Sequence, residues 1–99
     1  MESAYKTLLT GEIAGTTTAV QLPDIPCSKV KLKAVRSNSG NVYVGAEGLT
    51  KVTGGANNTT AGYELDAGEE TDWLVIDNLN KLYRICDNAG DELVYIIQR

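Results

Sequence analysis

The 99 residues carry 9 Lys and Arg against 13 Asp and Glu, a net charge of −4, with no histidine and two cysteines. So short a chain supports one hydrophobic core and folds alone with a narrow margin, so burial between subunits is a welcome source of stability. A mildly acidic surface argues against nucleic acid and anionic membranes as partners, since both need a dense cationic face. No run approaches the roughly 20 consecutive apolar residues of a membrane span. The N-terminal residues MESAYKTLLTGE lack the basic and apolar stretches of a secretory signal, so synthesis in a cytoplasm is expected. Cys27 and Cys86 are then reduced when made. Both read as small buried hydrophobes, with a stabilising bridge between them as the alternative.

In chain order, residues 1–14 form an N-terminal arm or first strand with Tyr5, Leu8 and Leu9 as its apolar anchors, and residues 15–99 form one β domain. Thr16 to Leu22 is threonine-rich and β-branched, which predicts a strand with Thr18, Val20 and Leu22 on one face. Pro23 and Pro26 end it, because neither can donate a ladder hydrogen bond. Ser28 to Arg36 has the clearest alternation: Val30, Leu32 and Ala34 point one way, Lys29, Lys31 and Lys33 the other, as in a half-buried strand with one wet face. Ser37 to Asn41 has strong turn chemistry, and Val42 to Ala46 is expected to return as the second strand of a hairpin. Glu47 to Ala61 reads as a long surface excursion with a short strand near Leu49 to Val52. Its Asn57-Asn58-Thr59-Thr60 matches two overlapping glycosylation sequons, but without a signal peptide it is read as a polar loop.

The last third holds three apolar runs, Trp73 to Ile76, Leu82 to Cys86 and Leu93 to Ile97, separated by the turns Asp77 to Asn80 and Asp87 to Gly90. Gly90 is expected to supply a positive φ, and the whole to form a β-meander. Trp73 and Val75 oppose Leu74 and Ile76, while Leu93, Tyr95 and Ile97 oppose Val94 and Ile96. Strands apolar on both faces are covered on both faces. One side is a sandwich core, and the other calls for a loop, an arm or another chain. No helical periodicity persists over three turns. About eight short strands predict an all-β fold: a small antiparallel β-sandwich, jelly-roll-like or barrel-like.

Candidate chemistry is sparse. Without histidine the commonest general base is missing, and two cysteines without CxxC spacing do not make a zinc site. Ser28, Ser37 and Ser39 have no base partner, and Thr53-Gly54-Gly55 lacks the lysine of a phosphate loop. The acidic run Glu64, Asp66, Glu69, Glu70 and Asp72 suits a glycosidase pair or a calcium site on residue type alone, but reads more simply as a charged turn. No catalytic residue, cofactor or metal site is expected. Tyr43, Tyr63, Tyr83, Tyr95 and Trp73 raise a carbohydrate- or receptor-binding module as an alternative, against core and interface packing.

Three stretches carry a family resemblance: Gly15-Thr16-Thr17-Thr18-Ala19-Val20-Gln21-Leu22-Pro23 with Pro26-Cys27, then Ser37-Asn38-Ser39-Gly40-Asn41-Val42-Tyr43-Val44-Gly45, then Gly62 to Glu69 running into Ile76 to Tyr83. In this order they resemble small virion structural proteins of tailed bacteriophages, of the head decoration or cement kind. The resemblance implies a β-sandwich, often a trimer, that sits on the capsid surface of the virion and fastens neighbouring major capsid proteins without catalysis. It begins at Gly15, so a gripping role for the arm is an inference from the arm's own apolar residues. The residues expected at a subunit or capsid interface are Tyr5, Leu8, Leu9, Trp73, Val75, Leu93, Tyr95 and Ile97.

Overall fold

The computed structural model describes residues 8–52 and 57–99, so Tyr5 and the pair Gly54-Gly55 lie outside the described residues. Among the described residues seven strands are formed: β1 (Leu8–Ile13), β2 (Val20–Gln21), β3 (Lys29–Ala34), β4 (Val42–Gly45), β5 (Tyr63–Leu65), β6 (Tyr83–Cys86) and β7 (Leu93–Gln98). They make two antiparallel sheets, sheet A in the order β1-β7-β3 and sheet B in the order β2-β6-β4-β5. The fold is a small β-sandwich. Its core takes Ile13, Val30, Leu32, Ala34, Leu93 and Ile97 from sheet A and Val42, Val44, Leu65 and Cys86 from sheet B, with Leu22 and Leu79 joining from the connecting segments. The alternation of β3 is realised as predicted: Val30, Leu32 and Ala34 are fully buried and the three lysines are not.

The connectivity departs from the expected meander and hairpin. β3 and β4 lie in different sheets, as do β6 and β7. The two polar turns therefore carry the chain between layers, across the roughly 10 Å that separate packed sheets. Strand Thr16 to Leu22 shrinks to Val20–Gln21, and Val20 is exposed while Leu22 is buried, so they do not share a face. Thr16 to Gln21 is held as a strap: the Arg84 guanidinium donates to the carbonyls of Ala14, Val20 and Gln21 at 2.8, 3.3 and 3.0 Å, and Cys86 N–H donates to Thr16 O. The short strand near Leu49 is a single parallel bridge, Thr50 to Ala61. Both cysteines are free, Cys86 in the core and Cys27 half-buried with its thiol donating to Ile76 O.

The predicted strand Trp73 to Ile76 is an irregular margin of sheet A. Leu74 exchanges both backbone hydrogen bonds with Val30, and Cys27 N–H bonds Asp77 O. Nearer Glu70 the register slips by one residue, since Lys33 now faces Glu70. At the slip Thr71 is buried and its hydroxyl accepts the Leu32 N–H at 3.0 Å, replacing a ladder bond. Such a bulge bends the strand and ends regular pairing.

The two crossings at one end are tied through Asp91, which is only 1% exposed. One carboxylate oxygen accepts the N–H groups of Ser39 and Gly40, and the other accepts the backbone and side-chain N–H of Asn88. Asn38 doubles the tie, accepting Glu92 N–H and donating to Glu92 O. Asp87 accepts Asn41 N–H and meets Lys51 Nζ at 3.2 Å. The glycine that matters here is Gly40, where a Cβ would stand within 2.8 Å of Asp87, Asn88 and Asp91. Gly90 has no positive φ, contrary to expectation; Gly48 and Gly68 do.

Burial pushes the Asp91 carboxyl up, but the donors from Gly40, Asn88 and Ser39 outweigh it and hold it below the ordinary 3.8. The Asn41 N–H does the same for Asp87 against a smaller burial penalty, helped by Lys51. With folded values depressed, the stability these groups contribute is complete above their unfolded values and is lost as pH falls through the folded ones. Urea midpoints should thus be level near neutrality and fall steeply below about pH 4. Asp91→Asn should lower stability at neutral pH by about 2–3 kcal/mol, because its new amide faces two donors, and should flatten the acid limb. An unchanged midpoint and limb would contradict this assignment.

Candidate functional site

Side chains alternate across a strand, so the pairing registers fix what the outer face of sheet A carries. Leu8, Thr10 and Glu12 stand beside Gln98, Ile96 and Val94, which stand beside Lys29, Lys31 and Lys33. Beyond the lysines, the Val30–Leu74 pairing turns Trp73 and Val75 to the same side. Val94 and Ile96 are half-buried and floor a concavity of about 520 Å³, walled by Thr10 and Glu12 on one flank and Lys31, Lys33 and Glu70 on the other.

The lysine row is not a plain solvated face. Lys29 and Lys31 hold their ammonium groups 4.8 and 5.5 Å from the centroid of the Trp73 ring, and Lys31 also meets Glu70 at 4.0 Å. Both ammonium groups lie within cation–π range of the ring. The outer face is thus an apolar floor with cations and a tryptophan on one flank and a carboxylate on the other. Leu8 and Val75, 59% and 84% exposed, mark its two margins.

This placement divides the expected interface residues. Leu8, Trp73 and Val75 belong to the outer face. Leu93 and Ile97, 1% and 0% exposed, point into the core, and Leu9 and Tyr95 pack against that core. All four stand on the inward side: Leu93, Tyr95 and Ile97 pair with the buried Ala34, Leu32 and Val30 rather than the lysines, and Leu9 pairs with Ile97. The outward pair on β7 is instead Val94 and Ile96. The signal was present in the alternation; deciding which half faces out required knowing that β7 pairs with β3.

A second concavity, of about 410 Å³, opens between the sheets and is lined by Val44, Tyr63, Leu74 and Leu82 with Thr71 and Asp72. Tyr63 stands 67% exposed at its rim. Neither Tyr43 nor Trp73 joins it as a sugar platform. Tyr43 is 7% exposed, its hydroxyl donates to Glu64, and burial pushes its phenol up. Trp73 lies under its two lysines on the outer face of sheet A.

The acidic run scatters. Glu64 accepts from the Asn41 side chain, Glu69 caps Asp66 N–H around the turn that Gly68 permits, Glu70 faces Lys31, and Asp72 accepts Trp73 N–H. Among the described residues no three metal-ligating side chains converge. Asn58, within the sequon-like stretch, spends its side chain inside its own loop, on Thr50, Lys51 and Thr60.

Comparison with protein-family models, with curated proteins and with solved structures returned no match.

Trp73 is the single tryptophan of the chain, so its fluorescence reports on this face alone. Replacing Lys29 and Lys31 together by alanine should red-shift its emission and raise its quenching by acrylamide, with the fold retained. Unaltered emission would show that the lysines do not cover the ring.

Proposed function

We propose that this chain is a non-enzymatic structural protein of a phage virion, which decorates the capsid surface and stabilises the shell by binding major capsid subunits. The observation that carries this reading is the outer face of sheet A. Four adjacent rows present Leu8, Ile96, Val94, Trp73 and Val75 together, rimmed by Lys33 and Glu12. Apolar residues ringed by charge are the composition of a contact surface, in which the centre supplies affinity and the rim supplies orientation. The virion location and the capsid partner rest on the family resemblance of residues 15–83; that resemblance also implies a trimer, which this proposal does not include.

The mechanism is passive. A chain bound across the junction of two capsid subunits binds the assembled shell better than separated subunits, and so stabilises it by mass action. No proton, metal or cofactor is involved.

Two measurements test this. Mass spectrometry of gradient-purified virions should find the chain in stoichiometric amounts. Sedimentation with capsids lacking the protein should show binding that Ile96→Glu weakens by about thirtyfold or more, the loss expected at the centre of an interface. Circular dichroism should show that the variant still folds. Absence from virions, or full binding by folded Ile96→Glu, would refute the proposal.

A further inference from the structure

The sandwich has four sheet edges, and three are closed or blunted. The margin of sheet A beyond β3 is the irregular segment 69–78, bulged at Thr71 and bearing Glu69, Glu70, Asp72 and Asp77. In sheet B, β2 has two residues and soon meets Pro23, and β5 has three, with Glu64 outward. Short strands, prolines, charges and bulges are the devices that prevent edge-to-edge pairing. β1 has almost none of them. It is six residues long, LLTGEI, with one charge and no proline or lysine, and among the described residues it pairs only with β7. Alternate residues along it therefore direct N–H and C=O groups away from the sheet.

We infer that this edge is a self-association site, at which β1 of a second copy adds antiparallel about a twofold axis through Gly11. The sequence of the strand selects the register of this self-pairing. A shift by one residue would set inward residues against outward ones, which leaves registers centred on a residue. Centring on Glu12 sets two like charges directly opposite each other, which is unfavourable. Centring on Thr10 places Leu8 against the partner's Glu12. Centring on Gly11 pairs Leu9 with the partner's Ile13 on the core side and Thr10 with the partner's Glu12 on the outer side, using five of the six strand residues without setting an apolar residue against the charge. Gly11 itself is held bare, since a Cβ there would run into the Tyr95 ring, so the crossing point carries no side chain.

The contact is isologous, with the same patch on both chains. It joins two copies of sheet A into one sheet and places their outer faces side by side. This inference concerns the free protein and does not depend on the capsid reading.

Light scattering after size exclusion should give twice the mass of one chain at micromolar concentration. Register is tested by cysteine pairs in a Cys27→Ser background. Opposed residues lie within disulfide reach, whereas diagonal ones are about 7–8 Å apart. Thr10→Cys protein mixed with Glu12→Cys protein should therefore oxidise to a cross-linked dimer, while each alone should give little. A monomer at that concentration, a three-chain mass, or a dimer that fails to cross-link in this pattern would each overturn the twofold β1 pairing. None of those results would bear on whether the outer face binds a capsid.

Discussion

The buried carboxylate of Asp91 is the constraint from which the rest of the sandwich follows. Two crossings between layers meet at one end of the molecule, and each leaves backbone N–H groups without ladder partners. Asp91 accepts from Ser39, Gly40 and Asn88 at once, which turns that unsatisfied end into a closed junction. A buried charge is tolerable only when it is hydrogen-bonded on this scale. Because the junction fixes where β4 begins relative to β7, it sets the registration of sheet B against sheet A. Arg84, 8% exposed, does the complementary task further along β6: its guanidinium finds three carbonyls and, among the described residues, no carboxylate. Burial accordingly lowers its proton affinity.

Local periodicity was a sufficient guide where a strand has one wet face. β3 reads directly because Lys29, Lys31 and Lys33 alternate with Val30, Leu32 and Ala34, and no partner is needed to orient it. β7 was legible as a strand but not in its orientation, because both of its faces are apolar. The choice between Leu93, Tyr95, Ile97 and Val94, Ile96 is made by long-range pairing with β3. The segment around Trp73 was misread for another reason. Its apolar residues are those of a strand, but a side-chain hydroxyl, Thr71, replaces a backbone partner and breaks the ladder. Turn residues were recognised as turns, yet nothing in Ser37 to Asn41 or Asp87 to Asp91 distinguishes a hairpin from a crossing until Asp91 is seen to join them.

The surplus of apolar strand surface noted in the sequence therefore has a definite location. On the outer side of sheet B, Tyr43 is covered by Glu64 and the chain at Gly62, while its neighbours Ile85 and Tyr83 are half-buried. Sheet A leaves Val94 and Ile96 on an open face, with Leu8 and Val75 at the margins. Lys29 and Lys31 hold their ammonium groups over Trp73, which leaves the face both apolar and oriented by charge. A chain of net charge −4 thus presents three of its nine cations, Lys29, Lys31 and Lys33, where the proposed contact lies. Such an arrangement steers an encounter as well as supporting its affinity.

Hydroxyl-radical footprinting of the chain, free and bound to capsids, compares these surfaces in one experiment. If the outer face of sheet A makes the contact, Leu8, Trp73, Val75 and Ile96 should lose reactivity on binding while Tyr63, at the mouth of the inter-sheet cleft, keeps its own. Protection of Tyr63 with Trp73 and Ile96 left reactive would contradict the account.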